Sequence, residues 1–320
     1  MRPLLALLSL AVAACAGSMA SSASSAGSSA SGTAAAVRLP TLDSARLLGD
    51  LFRLAHDSMG GRAAMTPQNA KARAFLVGEL RRIGLEPVNG SYEHAFVMPR
   101  RNNTDSVRGV NVLGLVPGTV DPERVIVVSA HYDHVGTRNG EIYNGADDNA
   151  SGTAAVLQIA AALKAAPPRH SVIIALFDAE EMGLVGARAF VAKPPVELSR
   201  IAANVNLDMV SRNDRNELWA AGASPYPQMR PLLEAVARVA PVQLKLGHDS
   251  GGGREDWTNQ SDQGAFNAAK IPFVYFGVED HPDYHKPSDD PEKVDGGFYL
   301  RSARTIAAFV RHLDENLPAR

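Results

Sequence analysis

The sequence predicts an α/β protein, a three-layer α/β/α sandwich around a mostly parallel, mixed central sheet. Three observations carry that expectation. Residues 124–131 (RVIVVSAH), 171–177 (SVIIALF) and 272–278 (PFVYFGV) are nearly continuous apolar runs, the pattern of strands covered on both faces. Stretches with helical spacing lie between such runs. Strands that alternate with helices assemble a parallel sheet with helices packed on its sides.

Taken in order, the chain opens with MRPLLALLSLAVAACAG, where Arg2 precedes a short apolar run and then small residues. That is the pattern of a secretory signal peptide, too short to span a bilayer. Val12, Ala13 and Ala14 before Cys15, the chain's single cysteine, resemble a bacterial lipobox over residues 1–15. The resemblance implies cleavage and lipid attachment at Cys15, and so an exported protein anchored in the cell envelope (periplasm or outer membrane). A lone cysteine has no disulfide partner to explain it otherwise. The alternative is an ordinary signal peptide and a secreted product. Residues 16–40 are expected to be a flexible tether, because 16–36 are almost only Ser, Ala and Gly and can build no core. The folded domain is then 41–320.

Within it, 66–85 reads as a helix with Thr66 as cap, Pro67 in the first turn and Gly84 at the end. Residues 111–118 and 202–210 are expected strands. Residues 149–166 form a small-residue helix that stops at Pro167–Pro168, and 296–317 close the chain as a helix. Lys and Arg number 32 against 34 Asp and Glu, a formal charge of −2. That balance supplies no electrostatic reason to bind nucleic acid; membrane contact is expected only through the lipid that the lipobox resemblance implies.

Ligand sites in parallel sheets gather beyond the carboxyl ends of the strands. Here those ends are polar. His131, Asp133 and His134 follow the first run; Asp178, Glu180 and Glu181 follow the second; Asp208 ends 202–207; His281, Tyr284 and His285 follow the last. NGADDNASG (144–152) crowds Asp147 and Asp148 before a helix. Each feature has an ordinary reading as a turn, a cap or a surface hydrogen bond. Coincidence at every one of these ends is a poor account, and a bound cation explains them together.

The stretches SAHYDHVG, NGADDNASG, FDAEEMGLVGARAF, NVNLDMV and HPDYHKPSDD, in that order, resemble the co-catalytic zinc exopeptidases of metallopeptidase family 28, with their zinc-exopeptidase (phosphorylase/hydrolase-like) fold. The resemblance implies two Zn²⁺, with Co²⁺ or Mn²⁺ as alternatives. His131 would bind one metal and His285 the other, Glu181 would join one and Asp208 the other, and Asp148 would bridge them. Glu180 would be the general base, Asp133 would orient the His131 ring, and Tyr284 would donate to the oxyanion. Asp147 is read as loop structure, and His134 and His281 as non-ligands. The family's cis peptide after the bridging aspartate is expected at Asp148–Asn149. The implied activity is aminopeptidase action on peptides, by a metal-bridged water. Gln263 follows Asp262 where the family often has histidine, so the pocket segment 247–266 departs from the pattern.

Competing readings are a lidded-dimer carboxypeptidase or amide deacylase, a glutaminyl cyclase on the same fold, and a catalytically silent surface-binding lipoprotein. The first needs an inserted dimerisation domain for which the interval between Asp208 and His285 looks short. The last should have lost ligands that are all present here. No G-x-S-x-G elbow supports a serine hydrolase. The sequence carries no indication of oligomeric state.

Overall fold

The computed structural model describes residues 36–99, 105–253 and 255–317. The signal peptide, Cys15 and most of the tether lie outside the described residues. The last tether residues do not behave as a tether. Val37 and Leu39 pack on the core, and the Pro40 carbonyl accepts a hydrogen bond from Arg304 Nε at 3.1 Å. Two apolar side chains in five residues are enough to dock this strip, so the folded domain reaches back before residue 41.

The chain runs α1 (Ser44–Leu54), α2 (Pro67–Ile83), β1 (Glu86–Pro87), β2 (Glu93–Pro99), β3 (Ser106–Val116), β4 (Asp121–His131), a small hairpin of β5 (Gly136–Arg138) and β6 (Glu141–Tyr143), α3 (Gly152–Ala165), β7 (His170–Phe177), α4 (Val185–Ala192), β8 (Ile201–Leu207), β9 (Glu217–Ala221), α5 (Arg230–Ala237), β10 (Gln243–Leu246), α6 (Gln263–Ala268), β11 (Phe273–Gly277) and α7 (Gly296–Asn316). The main sheet has the order β1-β3-β7-β4-β8-β11-β9-β10, with β2 paired to β3. Its centre, β7-β4-β8-β11, is parallel throughout. Strands β3 and β9 join that centre antiparallel on either side, which makes the sheet mixed as expected.

Local chemistry explains the boundaries. Thr66 Oγ1 accepts the Asn69 N–H at 3.1 Å, and Gly84 ends α2 at φ 84°, a left-handed conformation that glycine adopts without a Cβ clash. Asp295 caps α7 through the amides of Gly297 and Phe298. Every residue of β7 is buried. One face carries α1, α2, α3, α5 and α7 over a large apolar core. The other carries α4 and α6, where Phe177, Phe190 and Phe266 pack with ring centroids 5.5 to 6.2 Å apart. Helix α3 starts at Gly152 rather than 149. The preceding residues are spent on an irregular turn in which Asp148 and Asn149 leave helical angles.

A candidate two-metal centre at the ends of the parallel strands

Since β7, β4, β8 and β11 are adjacent and parallel, their carboxyl ends open on one edge. Four polar segments that are remote in sequence therefore meet. His131 is the last residue of β4, Glu180 and Glu181 occupy the turn after β7, Asp208 follows β8, and Tyr284 and His285 lie in the loop after β11. The turn 146–151, which follows the β5–β6 hairpin, adds Asp148.

Two groups of donor atoms result. His131, Asp148 and Asp208 form one; His134, Asp148, Glu181 and His285 form the other, with donor atoms in each group all within 4.8 Å of one another. Asp148 belongs to both. In the first, His131 Nε2 is 3.4 Å from Asp148 Oδ1 and 3.3 Å from Asp208 Oδ1. In the second, His285 Nε2 is 3.0 Å from Asp148 Oδ2 and 3.3 Å from Glu181 Oε1. Tetrahedral ligands with ~2.0–2.1 Å bonds stand roughly 3.3 Å apart, so both groups have a spacing compatible with a divalent cation. Glu180 stands beside the first, its Oε2 4.0 Å from His131 Nε2.

The electrostatics fit the same picture. Burial pushes the Glu180 carboxyl well above its ordinary range; Asp262, Asp208 and Glu181 add to the rise, and His131 opposes it. Burial also works to raise Asp148, but His134, His131 and His285 outweigh it and hold that carboxyl well below its usual value. His285 is lifted to about 10 by Asp148 and Glu181, against its own burial. Burial drives the Tyr284 hydroxyl upward, reinforced by Asp148, Asp208 and Glu181; it stays a proton donor. Asp262 is buried with neither carboxylate oxygen paired among the described residues, and burial takes it to about 7. So many carboxyls with so few cationic side chains among them make a site that a metal would neutralise.

Several placements refine the sequence reading. The Asp148–Asn149 peptide is cis, as expected. Asp133 does more than face His131: its carboxylate accepts the Glu180 N–H at 2.9 Å and the Glu181 N–H at 3.4 Å. The His131 Nδ1 contact is with the Asp133 carbonyl oxygen at 3.2 Å, the carboxylate lying at 3.7 Å. Asp133 therefore pins the turn that carries both glutamates. Asp147 is loop structure: its Oδ1 accepts from the Ser211 amide at 2.8 Å and hydroxyl at 2.7 Å, and His281 Nε2 lies 3.2 Å from Oδ2. His281 stands outside both donor groups. His134, expected outside the ligand set, stands inside the second.

Two residues escaped the sequence reading altogether. Asp289 accepts the amides of Asp147 and Asp148, each at 3.1 Å. Arg62 is fully buried and donates to the carbonyls of Tyr132, Leu54, Asn144 and Gly145 at 2.6–2.9 Å, bracing the chain beside the segments that carry His131, His134 and Asp148. Asp289 sits in a motif that was visible; Arg62, in GGRAA, has no local signal at all.

Fold and site together define an α/β protein whose sheet edge gathers two groups of potential metal donors that share one carboxylate. Residues 111–310 match the model of peptidase family M28, and the chain belongs to that family. Among curated proteins, a probable zinc metalloprotease of Leptosphaeria maculans is 30% identical over 207 residues, covering 60% of this chain and 48% of that protein. Aminopeptidase YwaD of Bacillus subtilis is 31% identical over 195 residues, covering 58% and 40%. The chain thus spans about half, or less, of the length of these relatives. Among solved structures, a zinc aminopeptidase from Bacillus subtilis superposes with a TM-score of 0.71 at 18% identity, over 85% of this chain and 96% of that one. A glutaminyl cyclase from Fimbriiglobus ruber superposes at 0.68 and 22% identity, over 86% and 97%; these two likenesses establish the fold.

Proposed function

We propose that this protein is a di-zinc aminopeptidase that hydrolyses N-terminal residues from peptides, with Glu180 as general base. The observation that carries the reading is the pair of donor groups joined at Asp148, with Glu180 unclaimed by either and beside one of them. The curated relatives named above as zinc metalloprotease and aminopeptidase support it. Zinc suits the mixture of imidazole and carboxylate donors. When bound, the metal pair supplies an acidified water and an electrophile for the scissile carbonyl.

The chain's own residues do the rest. Glu180 takes a proton from the attacking water as the new C–O bond forms, then delivers it to the departing amine as the C–N bond breaks. Its raised affinity for protons suits that exchange. The Tyr284 hydroxyl donates to the oxygen that gains negative charge. Asp133, through the two amides it accepts, keeps Glu180 and Glu181 side by side with separate tasks.

Substituting Glu180→Gln should leave metal content and thermal unfolding unchanged and abolish release of chromophore from aminoacyl anilides. Turnover near that of the unmodified protein would remove Glu180 from the mechanism. Pyroglutamate formation from N-terminal glutamine, with no residue released from any peptide, would replace the peptidase reading by a cyclase. We also propose export with lipidation at Cys15. Fatty-acid labelling that persists in Cys15→Ser would refute it.

A further inference from the structure

We infer that His134 is a fourth protein donor to one of the two metals, so that the centre consists of one closed, tightly held cation and one open, exchangeable one. This rests on the metal-centre reading above.

His134 is 1% exposed. Its Nδ1 lies 2.8 Å from Glu181 Oε1 and 3.6 Å from Asp148 Oδ2. Among the described residues, neither His134 Nδ1 nor Glu181 Oε1 makes a hydrogen bond of good geometry, although they are that close. The contact is short but misdirected. A ring N–H aimed at the carboxylate would make a strong hydrogen bond; two lone pairs aimed at a common third point make a poor one. His134 Nδ1, Asp148 Oδ2, Glu181 Oε1 and His285 Nε2 have neighbour distances of 2.8, 3.0, 3.3 and 3.6 Å. These scatter around the roughly 3.3 Å edge of a tetrahedron with ~2.0–2.1 Å bonds.

The ring is held there by its surroundings. Gly145 packs against it so closely that an added Cβ would fall 2.5 Å from the His134 ring carbons. The adjacent Asp133 is anchored by the amides of Glu180 and Glu181. His285, by contrast, is the exposed donor of the set, its side chain 40% accessible. A buried imidazole beside an exposed one makes retention of this metal less dependent on the loop after β11.

The other group offers only His131, Asp148 and Asp208. Three protein donors leave a position free, the arrangement of catalytic zinc, whereas four close the shell as in structural sites. Glu180 adjoins the three-donor group through its 4.0 Å approach to His131. The His131 group would then be the one left open to water and substrate, and a cation held by the His134 group would add its charge to the pair while fixing Asp148 and Glu181 in place.

The test uses the full chain. Stepwise dialysis of the zinc form against a chelator, with metal measured by mass spectrometry, should release one equivalent well before the second. His134→Ala should weaken retention of the second by more than the 10–100-fold typical of losing a mere supporting contact. His134→Cys loaded with Co²⁺ should show a near-ultraviolet thiolate-to-cobalt band absent from the unmodified protein and from His281→Cys. A thiolate reaches the same point as Nδ1, because a ~2.3 Å metal–sulfur bond makes up for the shorter side chain. Two metals bound by the unmodified protein, with no band and no loss of affinity in the His134 variants, would overturn this inference alone. No metal bound by the unmodified protein would overturn the metal-centre reading itself.

Discussion

Replacing Arg62 by methionine tests how far the site depends on a residue that touches no proposed ligand. Methionine keeps most of the stem but leaves four buried carbonyls, those of Leu54, Tyr132, Asn144 and Gly145, without their donor. Hydrogen bonds from a charged donor contribute about 1.5–3 kcal/mol each, so four amount to about 6–12 kcal/mol. Against this stands the penalty of burying the charge. Burial lowers the guanidinium from 12.5 to about 10, with Asp148, Asp133, Asp289 and Glu181 opposing the fall. At about 1.4 kcal/mol per unit that is about 3 kcal/mol recovered on substitution. The expected net loss is therefore about 3–9 kcal/mol, comparable to the whole stability of an ordinary domain. Urea unfolding in chelator at neutral pH separates this from any effect of bound metal. Arg62→Lys retains the charge with fewer donors and should fall between the two. A loss below about 1 kcal/mol in Arg62→Met would show that the carbonyls find other partners, and the bracing role would be wrong.

Three further outcomes are expected. Gly145→Ala would place a Cβ 2.2 Å from the Asp148 carbonyl oxygen at a residue with φ 55°; metal content after gel filtration should drop below that of the unmodified protein, and equal content would mean the turn yields freely. Asp289→Ala removes the acceptor for the Asp147 and Asp148 amides and should reduce metal retention while the sheet, followed by circular dichroism, stays intact. Asp50 is raised to about 6 by burial, with Glu79 adding and Arg46 and Arg82 opposing. The folded state therefore binds the Asp50 proton where the unfolded chain has lost it, so this group's contribution falls as pH rises from about 4 to about 6. Asp50→Asn should be more stable than the unmodified protein by about 1–2 kcal/mol above pH 6, after allowance for screening near the half-exposed Arg46, and should lose that advantage near pH 4; an equal difference at both pH values would refute the assignment.

The central strands and three long helices could be read directly because each carries its own signal. Runs such as 171–177 are apolar on both faces, and Thr66, Pro67 and Gly84 punctuate α2. The flanking pieces could not. Strands β9 and β10 and helices α4, α5 and α6 are short, and short segments owe their form to what they pack against rather than to periodicity. At the site, His131, Asp148, Glu180, Glu181, Asp208, Tyr284 and His285 stood out because strand ends are ordered along the chain and polar residues there are conspicuous.

Which donors lie close enough to share a cation is a different kind of fact. His131 and His134 are three residues apart, yet they fall in separate groups, one on each side of Asp148. Asp133 proved to hold a turn 47 residues away, and Arg62 to clamp carbonyls up to 83 residues off. Sequence by itself determined the layered fold and the set of chemically capable side chains, since burial and propensity act locally. The tertiary structure decided the pairing, because coordination and hydrogen bonding depend on distances of a few ångströms, and only the packed sheet edge sets those.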